Sequence, residues 1–296
     1  MTGDRALLDA IARPRLVGTA NHDAVRERLR AELTARGFVV LEHRFAAAAR
    51  FPLRGGLVGE GVNLVAVRPR TRVTTWLAAH YDSKGQPFSM AGRLIVIAVA
   101  LVALATLAVA SLAGAANAWW WLVALALPAG FLALNVATDG SPGAVDNATG
   151  VLTVLATLDL LPEQSSVGAI LLDAEELGLA GARALVRDRA NLLNDTALIN
   201  FDGIDDDGRV ILFGHRAGPL TQAVADRFGT RPRRPLPVVV DGLALAAATR
   251  ECVTIMKGTL RTMRVVHTPR DTPQRLTLKG VGNVAQAIAD ILITVH

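Results

Sequence analysis

Residues Val167–Arg189, VGAILLDAEELGLAGARALVRDR, decide the fold. The apolar run Val167–Leu172 reads as a strand ending at Asp173, and Leu177–Arg189 reads as a helix. Two adjacent carboxylates, Glu175 and Glu176, occupy the turn between them. The same alternation extends outward. Upstream, residues 18–38 form an amphipathic helix closed by Gly37, followed by strands at Val39–Leu41, Asn63–Val67 and Thr74–Ala79. The last of these delivers His80 at its C-terminal end. Helix Gly150–Leu161 precedes the quoted stretch. Downstream come strands Ala197–Phe201 and Val210–Phe213, helix Gly218–Phe228, strand Cys252–Met256 and helix Val281–Ile291. Strands alternating with helices predict an α/β sandwich. Polar residues follow the apolar strands, where open α/β sheets place their sites.

One stretch breaks this pattern. Residues 94–138 contain no Asp, Glu, Lys or Arg. Two apolar segments, 94–114 and 118–137 with Asn117 as lead-in, each approach the ~20 residues that cross a bilayer as a helix. Trp119, Trp120 and Trp121 begin the second segment, as an interfacial aromatic belt would. A pair of core helices would carry a polar face, and these do not. The expectation is a transmembrane helical hairpin, 94–138, inserted into one discontinuous globular domain made of 1–93 and 139–296. A hairpin returns the chain to its starting side. Lys84, Arg93, Arg68, Arg70 and Arg72 precede it and its connector has no basic residue, so the charge bias places the globular part on the cytoplasmic face. The first 30 residues carry mixed charges and no apolar run, which reads as no signal peptide.

The hairpin accounts for a hydrophobic fraction of 51% and a mean hydropathy of +0.37. The net charge of +5 is dispersed, apart from Arg231, Arg233 and Arg234 around Pro232. No aromatic platform accompanies that run, so it reads as a solvated loop and no nucleic-acid partner is expected. The single Cys252 excludes an internal disulfide and fits a reducing compartment.

Acids and imidazoles sit at the strand ends: His80, Asp146, the pair Glu175–Glu176, Asp202 and His267. Two histidines with carboxylates suit zinc, and manganese or cobalt are alternatives. One bridging carboxylate can hold two ions roughly 3.5–4 Å apart, and a further carboxylate off the metals can take a proton from water. Glu175 and Glu176 could divide those tasks. A single Asp after a strand is commonly a turn or cap residue, so the cluster carries the argument. His215 reads as a loop histidine.

The motifs Ala79–Ser83 (AHYDS), Gly143–Gly150 (GAVDNATG), Asp173–Arg183 (DAEELGLAGAR), Ile199–Asp202 (INFD) and His267–Thr272 (HTPRDT), with the lead-in Pro14–His22, resemble the M28 family of zinc peptidases, the co-catalytic aminopeptidase group. Their order and spacing agree except for the hairpin. The resemblance implies a three-layer sandwich with a mixed, mostly parallel sheet and helices on both faces. It implies two zinc ions bridged by Asp146, one completed by His80 and Asp202, the other by Glu176 and His267. It implies Glu175 as general base, Asp82 as the residue orienting His80, and Asp271 assisting near His267. The implied activity is removal of N-terminal residues from peptides, with the bilayer as second partner through 94–138. One segment departs. Where many relatives have Ser-Asp-His-x-x-Phe, this chain has Val240–Leu245, VDGLAL, lacking the His and Phe. That leaves room for a zinc amidohydrolase or cyclase acting on a non-peptide amide. An inactive membrane scaffold is a further alternative, against which the retained Glu175 argues.

Overall fold

The computed structural model describes residues 2–47, 59–114, 117–234 and 239–295. Seven strands form one sheet in the order β1-β2-β4-β3-β5-β7-β6. They are β1 (Val39–Ala46), β2 (Glu60–Val67), β3 (Thr75–His80), β4 (Val167–Leu172), β5 (Ala197–Ile204), β6 (Arg209–Arg216) and β7 (Glu251–Gly258). The central strands β4, β3, β5 and β7 are parallel, while β2 and β6 pair antiparallel with their neighbours. The sheet is therefore mixed, with a parallel centre. β3 and β4 are buried along their whole length, which explains their unbroken apolar sequences.

Alternate residues of each central strand face opposite layers. Leu77, Ala79, Ile199 and Val253 join one core with helices α1 (Thr2–Ile11), α2 (Ala20–Ala35), α5 (Thr149–Leu160), α7 (Pro219–Phe228) and α10 (Lys279–Val295). Trp76, Ala78, Leu198 and Cys252 join the other with α6 (Ala180–Leu193) and the short α8 (Asp241–Leu245). Helices thus cover both faces, giving three layers.

The uncharged stretch forms α3 (Met90–Leu112, 23 residues) and α4 (Ala118–Leu134, 17 residues). By length and composition α3 can cross a membrane. The second helix is shorter than its apolar segment because Asn135 turns into the base of the hairpin. Its side-chain oxygen accepts from Phe88 N at 3.4 Å, and its carbonyl accepts from Gln86 Nε2 at 3.3 Å. Phe88 and Phe131 stack at 3.9 Å near that base, and Trp121 Nε1 donates to Ser111 Oγ at 2.9 Å near the tip. The two helices therefore run antiparallel. They project large exposed side chains, including Val99, Leu101, Val102, Val109, Leu122 and Leu127. A final short helix, α9 (Leu260–Val265), packs against α3.

The link between β4 and α6 depends on a glycine. A Cβ at Gly181 would come within 2.1 Å of Asp173 O and 2.5 Å of Asn63 Oδ1. Gly181→Ala should cost about 1–3 kcal/mol through overpacking. Gly282→Ala, in α10 where a Cβ meets nothing within 4 Å, should stabilise by about 0.4–1 kcal/mol. Thermal melts of the two variants check both signs.

Candidate metal centre

The parallel strands converge their C-terminal ends on one point. His80 ends β3 and pairs with Leu172, the last residue of β4, while Ala78 pairs with Asn200 of β5. This register sets His80 beside the turn carrying Glu175 and Glu176 on one side and level with Asp202 on the other. Asp146 enters on the turn after the hairpin, and His267 follows α9. The structure brings together the seven residues expected as metal ligands, base and orienting carboxylate. His80, Asp82, Asp146, Glu175, Glu176, Asp202 and His267 are each buried.

Asp146 lies between the two histidines. Its Oδ1 is 3.2 Å from His80 Nε2 and its Oδ2 is 2.8 Å from His267 Nε2. His267 Nε2 is also 3.0 Å from Glu176 Oε1. Two groups result, His80–Asp146–Asp202 and Asp146–Glu176–His267, and within each the ligand atoms lie within 4.8 Å of one another. Buried carboxylates this close repel one another and call for a cation. Imidazole and carboxylate donors at these positions fit zinc.

The His80, Asp146 and Glu175–Glu176 segments are held from behind. Asp82 accepts the Glu175 and Glu176 amides at 3.1 and 3.2 Å. Its Oδ1 also lies 3.4 Å from His80 Nδ1, and its carbonyl lies 3.2 Å from that nitrogen. A proton on Nδ1 leaves Nε2 free to face Asp146. Asp271, four residues after His267, accepts the Val145 and Asp146 amides at 2.9 and 3.1 Å, so it holds the backbone of the carboxylate that faces His267. Asn147 ties the same turn to β5, donating to Phe201 O at 2.8 Å and accepting from Gly203 N at 3.1 Å. Behind the carboxylate pair, Asp173 accepts from Tyr81 Oη at 2.9 Å and Val62 N at 2.7 Å, and contacts His22 Nε2 at 2.8 Å.

Sequence reading missed three cations. Arg15 is almost wholly buried and donates to Tyr81 O at 2.5 Å, Pro142 O at 2.5 Å and Gly143 O at 2.9 Å, joining the His80 and Asp146 segments. Burial lowers its pKa to about 10. Lys84 Nζ lies 2.7 Å from Glu176 Oε2. Arg93, in the first turn of α3, donates to His267 Nδ1 at 2.5 Å. A guanidinium only donates, so Nδ1 accepts and a neutral ring carries its proton on Nε2, facing Asp146 and Glu176. A neutral ring that ligates a metal through Nε2 would carry its proton on Nδ1, so the Arg93 contact would have to open. Lys84 and Arg93 stood in the sequence only as charges before the apolar stretch and Arg15 only as part of the lead-in motif, and none of these readings pointed to the site.

The charges divide the site. Burial raises Asp146, but hydrogen bonds and charges from His267 and His80 outweigh it and hold the carboxyl well below its usual range. Burial likewise opposes ionisation of Glu176, yet His267 and Lys84 bring its pKa down to about 2. Burial pushes Asp202 up to about 7, with Asp146 and Glu176 adding and His80 opposing. Glu175 is pushed well above the normal carboxyl range by burial, with the neighbouring Glu176, Asp241 and Asp202 adding. The 240–245 segment is helix α8. Asp241 there is fully buried, and among the described residues neither carboxylate oxygen has a hydrogen-bond partner. A Cβ at Gly242 would come within 2.7 Å of His215 Nε2, so the imidazole at the end of β6 fills the space beside the missing side chain. His215 is hydrogen-bonded to Thr254 Oγ1 at 2.8 Å.

The profile of Peptidase family M28 matches residues 63–292, and the chain belongs to that family. Its fold is shared with a glutaminyl cyclase from Bacteroides thetaiotaomicron bound to N-acetylhistamine, at a TM-score of 0.68 and 17% identity, covering 98% of this chain and 96% of that one. It is shared also with BSAP, a zinc aminopeptidase from Bacillus subtilis, at a TM-score of 0.66 and 12% identity, covering 99% and 95%. A leucine aminopeptidase precursor from Bacteroides thetaiotaomicron gives 0.66 and 17%, covering 98% and 96%. No curated protein matches the chain. Family and donor set together define a zinc metallohydrolase-type site on a fold common to aminopeptidases and glutaminyl cyclases.

Asp202 sets a pH test. A carboxyl near 3.9 when unfolded and about 7 when folded binds more protons in the folded state across that window. Metal-free protein should therefore lose stability as pH rises from about 4 to about 7. Thermal melts with chelator should show this slope, Asp202→Asn should flatten it, and zinc at pH 7.5 should raise the midpoint.

Proposed function

We propose that this protein is a membrane-tethered dinuclear zinc aminopeptidase. The observation that carries the reading is the Asp146 carboxylate, which presents one oxygen to each histidine of two adjoining ligand groups. His80 and Asp202 complete one group, Glu176 and His267 the other. Zinc, when bound, polarises a carbonyl and lowers the pKa of a water to near neutrality.

The chain's own residues supply the rest. Glu175 lies outside both ligand groups, so it is free to take the proton of the attacking water and pass it to the leaving amine. Its burial-raised pKa suits a group that must both accept and return a proton. Asp82 fixes the pair by binding both of their amides, which keeps base and ligand in register.

The tether rests on α3 and α4. A soluble protein seldom exposes so continuous an apolar surface, and a bilayer would cover it. Lys84 and Arg93 at its base favour a cytoplasmic catalytic domain. The second reading is a zinc cyclase or amidohydrolase. The replacement of the 240–245 motif by α8, with His215 beside Gly242, favours it by reshaping the wall near Asp241.

Purified protein should release N-terminal residues from free peptides and leave N-acetylated ones intact. Glu175→Gln should lower kcat by about 10²–10⁴ with zinc content unchanged. Loss of ammonia from peptides beginning with Gln, without release of free amino acids, would replace the aminopeptidase reading with the cyclase one.

A further inference from the structure

We propose that α9 and the segment following it, Thr259–Arg270, form a docking surface for the anionic headgroups of the bilayer that α3 enters. This rests on the membrane-tether reading above. The segment reads TLRTMRVVHTPR and contains three arginines and no acid. Arg261, Arg264 and Arg270 are exposed, and among the described residues none has an ion-pair partner. Leu260, at the start of α9, is 74% exposed. An exposed leucine among unpaired guanidiniums is the composition of an interfacial helix, with an apolar tip for the acyl boundary and cations for the headgroups.

The neighbouring acids do not neutralise this surface. Asp205 accepts from Thr262 Oγ1 at 2.6 Å and Arg275 at 3.2 Å. Asp206 accepts the Gly280 amide at 2.8 Å, and Asp271 is buried on the 145–146 backbone. Asp207 is exposed in the turn between β5 and β6 and has no contact with the three arginines among the described residues. Position decides the partner. α9 packs against α3, so the arginines lie beside the helix that would enter the membrane. A bilayer bearing anionic lipid is continuous with that helix, which a soluble acidic partner is not.

The surface also reaches the metal centre. His267 follows α9 directly, its carbonyl accepts from Gln86 N at 2.7 Å, and its ring meets Arg93 of α3. Headgroups that fix α9 would fix the backbone leading to this ligand.

The test uses full-length protein carrying a fluorophore on Leu260→Cys; the native Cys252 is buried and stays unlabelled. Reconstitute it in nanodiscs of phosphatidylcholine alone or with 30% phosphatidylglycerol, with spin-labelled lipid as quencher. Docking predicts at least twofold stronger quenching in the anionic discs, reversal in 0.5 M NaCl, and loss in the Arg261→Gln/Arg264→Gln/Arg270→Gln triple variant. Equal quenching in both lipids, in protein that co-floats with liposomes, overturns the docking proposal alone. Protein that does not float with liposomes overturns the tether reading beneath it.

Discussion

The structure depends on the sharing of one carboxylate. Asp146 faces His80 and His267 with its two oxygens and is crowded by Glu176 and Asp202. Such a group of buried acids is unfavourable without compensating positive charge. Its turn is therefore held rigidly, by Asp271 on the amides, Arg15 on the carbonyls and Asn147 against β5. These bonds organise the C-terminal edge of the sheet as much as they serve the site.

The same constraint explains how a hairpin can lie between two metal-site segments. At its base, Gly85 and Thr138 exchange backbone hydrogen bonds of 2.6 and 2.8 Å. Gly85 packs against Gly140 so closely that a Cβ would meet its backbone at 2.7 Å. The chain leaves and returns through one narrow crossing, and His80 and Asp146 keep their relation. Arg93 ties the helical pair to the candidate site, since its guanidinium touches His267.

Much of this was legible because strands buried on both faces write themselves as apolar runs, and their polar ends mark the site. All seven strands and the longer core helices α2, α5, α6, α7 and α10 follow the sequence pattern. The amphipathic α1 was not read at all. The short helices α8 and α9 were also missed, since one or two turns carry too little periodicity to register. Arg15 was read only as part of a motif. Its burial depends on carbonyls 66 and 127 residues away, which no local pattern encodes. Asp271 came only from the family resemblance, and its amide partners on the distant 145–146 turn are set by the tertiary fold. His215 was read as a loop residue, and its role beside Gly242 exists only once β6, β7 and α8 are assembled.

The most direct test of the shared carboxylate is anomalous diffraction at the zinc edge from zinc-loaded protein. The account predicts two peaks, one on each side of Asp146, the first bonded also by His80 and Asp202 and the second by Glu176 and His267. A single peak, or zinc bound without Asp146, would contradict it.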